Sequence, residues 1–144
     1  MKRVFNISFA IIILITALTA GAQAQSASAQ RVIANIPFAF TANNKTLPAG
    51  KYTITVLNPS SDRKALQIRS MNGRFSAIVL TNAILGNASD NSKLVFECYD
   101  DRYFFAQVQM AGDSTTLAAL RSNKEHKHLV ATAKKKSTVV IAGG

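Results

Sequence analysis

The segment ALQIRSMNGRFSAIVL, residues 65–80, carries the strongest local signal in the chain. Two aliphatic-rich runs, Ala65 to Arg69 and Phe75 to Leu80, flank Met71-Asn72-Gly73-Arg74. Asn-Gly accepts positive φ at both central positions of a tight turn, so the twist of the turn matches that of the strands it joins. The segment therefore predicts a β-hairpin. On its N-terminal side Lys51 to Leu57 (KYTITVL) alternates, with Tyr52, Ile54 and Val56 on one side and Lys51, Thr53 and Thr55 on the other. That is the period-2 pattern of a half-buried strand. On its C-terminal side a polar loop, residues 86–92, leads into KLVFECY (93–99), and Asp100-Asp101 turns the chain into RYFFAQVQM (102–110). There, strict alternation puts Phe104, Ala106, Val108 and Met110 on one face. Gly112-Asp113-Ser114 makes a further turn before Thr116 to Leu120.

Before Lys51, Ile33 to Phe40 is apolar, but Pro37 demotes it to an edge or bulged strand. Residues 41–50 (TANNKTLPAG) read as a turn, because Asn43-Asn44 tolerates left-handed backbone and Pro48 and Gly50 set a bend. Short strands at this spacing predict an all-β fold, a small antiparallel β-sandwich or barrel of about seven to eight strands.

The termini read differently. Met1-Lys2-Arg3 is a positive start, Ile7 to Leu18 is almost wholly apolar, and Ala22-Gln23-Ala24 is an A-x-A cleavage site. Together these make a secretory signal peptide over residues 1–24, with an apolar stretch shorter than the roughly 20 residues a bilayer span needs. The alternative is an uncleaved anchor, and Ala20-Gly21-Ala22 and Ala27-Ser28-Ala29 are competing cut sites. No Cys follows the apolar run, which argues against a lipid anchor. A mature protein beginning near Gln25 is expected to be secreted or periplasmic. Residues 25–30 form a linker and 31–121 the β-domain. In 122–144, Ser122-Asn123-Lys124-Glu125 fits a capping box. It predicts a short helix from Asn123 to about Ala133, followed by a terminal strand at Ser137 to Ala142 or by a frayed tail.

Without residues 1–24 the chain carries 15 Lys+Arg against 7 Asp+Glu. This balance favours polyanionic neighbours, such as envelope lipids, acidic polysaccharide or extracellular nucleic acid. The charges are spread along the chain, however, and the one run of three, Lys134-Lys135-Lys136, is the candidate polyanion contact. A merely solubilising surface is the competing reading. No specific nucleic-acid recognition is indicated.

Chemistry is thinly represented. The single Cys98 falls at strand period with Leu94 and Phe96 and reads as a small buried hydrophobe. His126 and His128 lack further converging ligands, and Lys124 and Lys127 would repel a cation, so no metal is expected. Asp100 and Asp101, as sequence neighbours, would point to opposite faces of a strand and read as turn residues. No nucleophile elbow or phosphate loop is present, and no cofactor is expected. Tyr99, Arg102, Tyr103 and Phe105 form the candidate ligand-binding cluster. Alternation turns Tyr103 and Phe105 away from Phe104, where they could stack on sugars or bases, unless cross-strand packing covers them.

The elements Asn35-Ile36-Pro37-Phe38-Ala39-Phe40 and Leu47-Pro48-Ala49-Gly50-Lys51-Tyr52, with Lys93 to Phe96 and Tyr103-Phe104-Phe105, occur together here. Over residues 32–130 the chain resembles a group of small exported bacterial proteins of unknown function. The resemblance implies a secreted β-rich domain and no catalytic residues. The expected function is a non-enzymatic binding or structural module at the cell envelope. One alternative is a barrel-type carrier with an apolar cavity behind Tyr52, Phe96 and Phe104. The other is a hydrolase, which would need a Cys, Ser or carboxylate to meet a His in a concave site.

Overall fold

The computed structural model describes residues 30–122, 125, 127 and 135–144, with the side chains of the last group described from Ser137 onward. The expected leader, the linker up to Ala29, both histidines and Lys134 lie outside the described residues. So does most of the short helix expected from Asn123 to Ala133.

The described residues form an all-β structure. β1 (Arg31–Ile36) runs antiparallel to β4 (Gly50–Val56), with Val32 opposite Ile54 and Ala34 opposite Tyr52. Pro37, which has no N–H to offer the ladder, follows directly after β1. Beyond it, β2 (Phe40–Ala42) and β3 (Lys45–Leu47) pair as a hairpin, Ala42 opposite Lys45. Its two-residue turn is Asn43-Asn44, at φ 46° and 62°. The span expected to be a plain turn thus holds a third strand, because two Asn residues in left-handed backbone give the twist a tight hairpin requires. This hairpin and the break at Pro37 raise the strand count to ten.

β4 pairs with β5 (Ala65–Ser70), and β5 with β6 (Ser76–Leu85). The expected hairpin is present, but its turn is not the one Asn-Gly suggested. Gly73 alone takes positive φ, at 73°, and its N–H donates to the Ser70 carbonyl at 2.9 Å. Asn72 instead uses its side chain, whose Oδ1 accepts from the Ser70 hydroxyl and the Arg74 N–H. β6 is ten residues long and serves two neighbours. Its first half ends the ladder with β5 at Leu80 opposite Ala65, and its second half opens one with β9 (Thr115–Ala119) at Thr81 opposite Ala119. Thr81 is buried at this changeover, and its hydroxyl and N–H both donate to the Lys64 carbonyl, at 2.8 and 3.0 Å.

β7 (Ser92–Tyr99) and β8 (Arg102–Gln109) form a hairpin through Asp100-Asp101, both left-handed at φ 46° and 61°. The far edge of β8 is shared. β9 takes Gln107 to Gln109 in antiparallel pairing, and β2 takes Tyr103 and Phe104 in the parallel pairing that makes the sheet mixed. β10 (Lys135–Gly143) pairs with the whole of β7, so the terminal run is a strand. At the ends of this path Ile33 and Gly144 exchange both backbone hydrogen bonds, each 2.9 Å.

Alternation then builds one core. Val32, Tyr52, Ile54, Leu66, Ile68 and Val79 from the first sheet half meet Leu94, Phe96, Phe105, Val108 and Leu117 from the second, all buried. Tyr52 is 1% exposed, and its hydroxyl donates to the Pro48 carbonyl at 2.7 Å. Where β10 crosses β1, the space is too small for a side chain. A Cβ at Gly143 would come within 2.2 Å of Val32 Cγ1.

Two outcomes follow for stability. Gly143→Ala should cost about 1–3 kcal/mol in urea denaturation through overpacking, and less when introduced into a Val32→Ala background; equal costs in the two backgrounds would contradict the clash. Burial raises the Tyr52 phenol above its ordinary 10.0. Its contribution is therefore complete below pH 10 and is lost as pH rises through the higher folded value. The alkaline fall in stability should be shallower in Tyr52→Phe, measured as the denaturation midpoint against pH.

Candidate functional site

The sequence-derived aromatic cluster is divided between two faces of β8, and the cause is one extra residue. Gln107 lies opposite Val95 and Phe105 opposite Phe96, leaving Ala106 unmatched as a β-bulge. A bulge reverses the phase of alternation beyond it. Val108 and Met110 face the core as expected, but on the other side of Ala106 the inward position passes from Phe104 to Phe105. Phe105, expected outward, is 4% exposed and lies in the core, edge-to-face with Phe96 at 5.8 Å. Tyr103 is half-buried and stacks on Phe38, ring centroids 3.8 Å apart. Arg102 is exposed where β8 begins.

Phe104 and Tyr99 occupy the outer side, edge-to-face at 5.9 Å, and Phe104 is buried there, as expected of it, though outside the central core. There the structure adds two residues that composition and spacing did not single out. Arg121 forms an ion pair with Glu97 and lies over the Tyr99 ring, 5.5 Å from its centroid. The Tyr99 hydroxyl donates to Glu97 Oε2 at 3.1 Å and accepts from Arg121 Nη1 at 3.4 Å. Glu97 and Arg121 keep 20% and 24% of their side-chain surface, so solvent limits the pair to about 1 kcal/mol or less. Beside it runs a shallow groove of about 370 Å³, floored by Ala106, Ala118 and Ala119 and edged by Gln107, Leu120 and Arg121. These side chains can hold a polar ligand; they offer no activated nucleophile.

Near the end of β9 the capping geometry is half present. The Glu125 N–H donates to Ser122 Oγ at 3.2 Å, and that hydroxyl donates to Asn44 Oδ1 at 2.9 Å. Burial raises the Glu125 carboxyl above its ordinary 4.5, and the Arg121 charge partly offsets the rise.

Cys98 is buried and unpaired. Asp100 and Asp101 are turn residues in left-handed backbone. Among the described residues no three His, Cys, Asp or Glu side chains converge as metal ligands. Of the candidate polyanion contact, Lys134 and the side chains of Lys135 and Lys136 lie outside the described residues. Of the rings expected to border a carrier cavity, Tyr52 and Phe96 both meet Phe40 edge-to-face, at 5.2 and 5.3 Å, whereas Phe104 meets Tyr99 on the outer side.

A second groove of about 370 Å³ lies on the outer side of β1, β4 and β5, lined by Arg31, Thr53, Thr55, Gln67 and Arg69 and ending at the Met71–Gly73 turn. Its residues come from three strands, and only strand register brings them together: Arg31 faces Thr55, which faces Gln67, and Thr53 faces Arg69. The polar half of the KYTITVL alternation was the signal for its floor.

No family model, curated protein or solved structure matches this chain.

The two faces of the β7–β8 hairpin should respond differently to substitution. Phe105→Ala should lower the unfolding free energy by about 3–5 kcal/mol, whereas Tyr99→Phe, which loses only a part-exposed hydroxyl, should cost about 1 kcal/mol. Chemical denaturation of both variants checks this, and similar small costs would return Phe105 to the surface.

Proposed function

We propose that the chain is an exported, non-enzymatic β-domain that acts as a binding or structural module at the cell envelope, secreted or periplasmic after loss of residues 1–24. In this reading β1, β4, β5, β6, β9, β8, β7 and β10 close into an eight-stranded barrel around a filled core. The β2–β3 hairpin lies beside the part of β8 that β9 leaves open. Recognition then belongs to the outer faces, not to the interior.

The observation that carries this reading is how charge is distributed. From residue 30 to residue 89 there are seven cations (Arg31, Lys45, Lys51, Arg63, Lys64, Arg69 and Arg74) against Asp62 alone. Residues 90–144 hold eight cations and six acids. An excess confined to one part of a sheet attracts anionic surfaces more strongly than the same charge spread evenly. Anionic lipids and acidic polymers of the envelope are the partners of this chemistry, and Lys134, Lys135 and Lys136 add a second basic element.

Intact-mass analysis of the protein recovered from cell fractions should show a chain starting at Gln25 outside the cytoplasm. A full-length chain confined to the cytosol would overturn export. Retention on a heparin-like resin should fall steeply with salt and should weaken when Lys134, Lys135 and Lys136 are changed to Gln; salt-independent retention would refute a polyanionic partner.

A further inference from the structure

We propose that the outer face of β1, β4, β5 and β6 is a peripheral docking surface for an anionic lipid bilayer. The strand register lays this face out in rows. In one row Leu57 adjoins Ala65, Ala65 faces Leu80, and Leu120 donates its N–H to Leu80. Three of these side chains are strongly exposed: Leu57 at 48%, Leu80 at 57% and Leu120 at 41%. The next row runs Arg31, Thr55, Gln67, Ile78, and Ile78 is 52% exposed. The row after it brings in Arg69, and the last adds Lys51 opposite Asn35. None of these four rows contains an acid.

Directly opposed residues of antiparallel strands point to the same face, so the aliphatic row and the cations face one partner. Successive rows lie about 7 Å apart along the strands. A protein seated at a bilayer surface buries its apolar side chains about 5–10 Å into the boundary between headgroups and acyl chains. With the sheet tipped onto its aliphatic row, Leu57, Leu80 and Leu120 enter that boundary while Arg31 and Arg69 stay level with the phosphates. Each cation gains from the negative surface potential, and the aliphatic side chains leave water.

An acidic polysaccharide would satisfy the cations and leave four large aliphatic side chains unexplained. A single-stranded nucleic acid would need ring platforms, and the rows contain no aromatic residue. Among the described residues Arg31 and Arg69 have no ion-pair partner, and neither Thr55 nor Gln67 has a side-chain hydrogen bond. The face is therefore open to phosphate and glycerol oxygens.

The proposal rests on the exported reading only for which bilayer is met, and a test with purified mature protein separates the two. Flotation with phosphatidylcholine vesicles, with and without phosphatidylglycerol, should show binding to the anionic vesicles alone, reduced by salt. Ile78→Asn with Leu80→Asn should weaken vesicle binding roughly tenfold and leave heparin-resin retention unchanged. Arg31→Gln with Arg69→Gln should weaken both. Leu120→Asn, on the other side of the aliphatic row, is the second variant should the pair disturb folding, which circular dichroism would report. Vesicle binding indifferent to the aliphatic substitutions would overturn the proposal. So would retention on heparin without any vesicle binding, which would make an acidic polymer the partner.

Discussion

Phe96 is the contact on which the two halves of the sheet depend. Its ring meets Phe38, Phe40 and Phe105 edge-to-face, at 5.2, 5.3 and 5.8 Å, and Phe40 in turn meets Tyr52. These rings come from β2, β4, β7, β8 and the segment after Pro37, so one cluster ties together strands far apart in sequence. Each such pair contributes about 0.5–1.5 kcal/mol beyond the area it removes from water. The geometry also constrains neighbours, because edge-to-face rings fix their own tilt and so fix which strand residues can face inward. Ala106 is the consequence on β8: without a bulge there, Phe105 and Val108 could not both reach the core.

That bulge marks the limit of what was legible in the sequence. Alternation assigned the faces of β4, and strand period the inward Leu94, Phe96 and Cys98 of β7, where each inward residue is followed by an outward one. On β8 it held for Val108 and Met110 and missed the burial of Phe105, because a one-residue insertion in the ladder reverses phase without altering composition. Asn72-Gly73 identified a hairpin, yet the two-residue turns with paired left-handed residues are at Asn43-Asn44, between strands of three residues, and at Asp100-Asp101, between strands of eight. The groove on β1, β4 and β5 could not be seen because Arg31 and Arg69 lie far apart in the sequence; register gathers what sequence scatters. The Arg121–Glu97–Tyr99 cluster was hidden for the same reason.

The two outer faces differ in a way that composition averages out. Beside β7 and β9, Arg121 is answered by Glu97 and Tyr99. Among the described residues Arg31 on β1 and Arg69 on β5 have no such partner. A paired cation is a structural element, whereas an unpaired one retains its attraction for whatever anion approaches. The first half of β6 belongs to the β1–β4–β5 face, and its outward Ile78 and Leu80 are the reason that face is amphipathic instead of simply basic.

The mutual hydrogen bonds of Ile33 and Gly144 carry a consequence for the route to the folded state. Their partners stand more than a hundred positions apart, and β10 must also find β7 before the seam can form. Joining such distant segments requires a large loop-closure entropy to be met before any contact rewards it, and topologies dominated by such pairings fold in milliseconds to seconds, not microseconds. The fold is therefore complete only when β10 has joined β7 and Gly144 has met Ile33, so the two ends of the sheet are locked last.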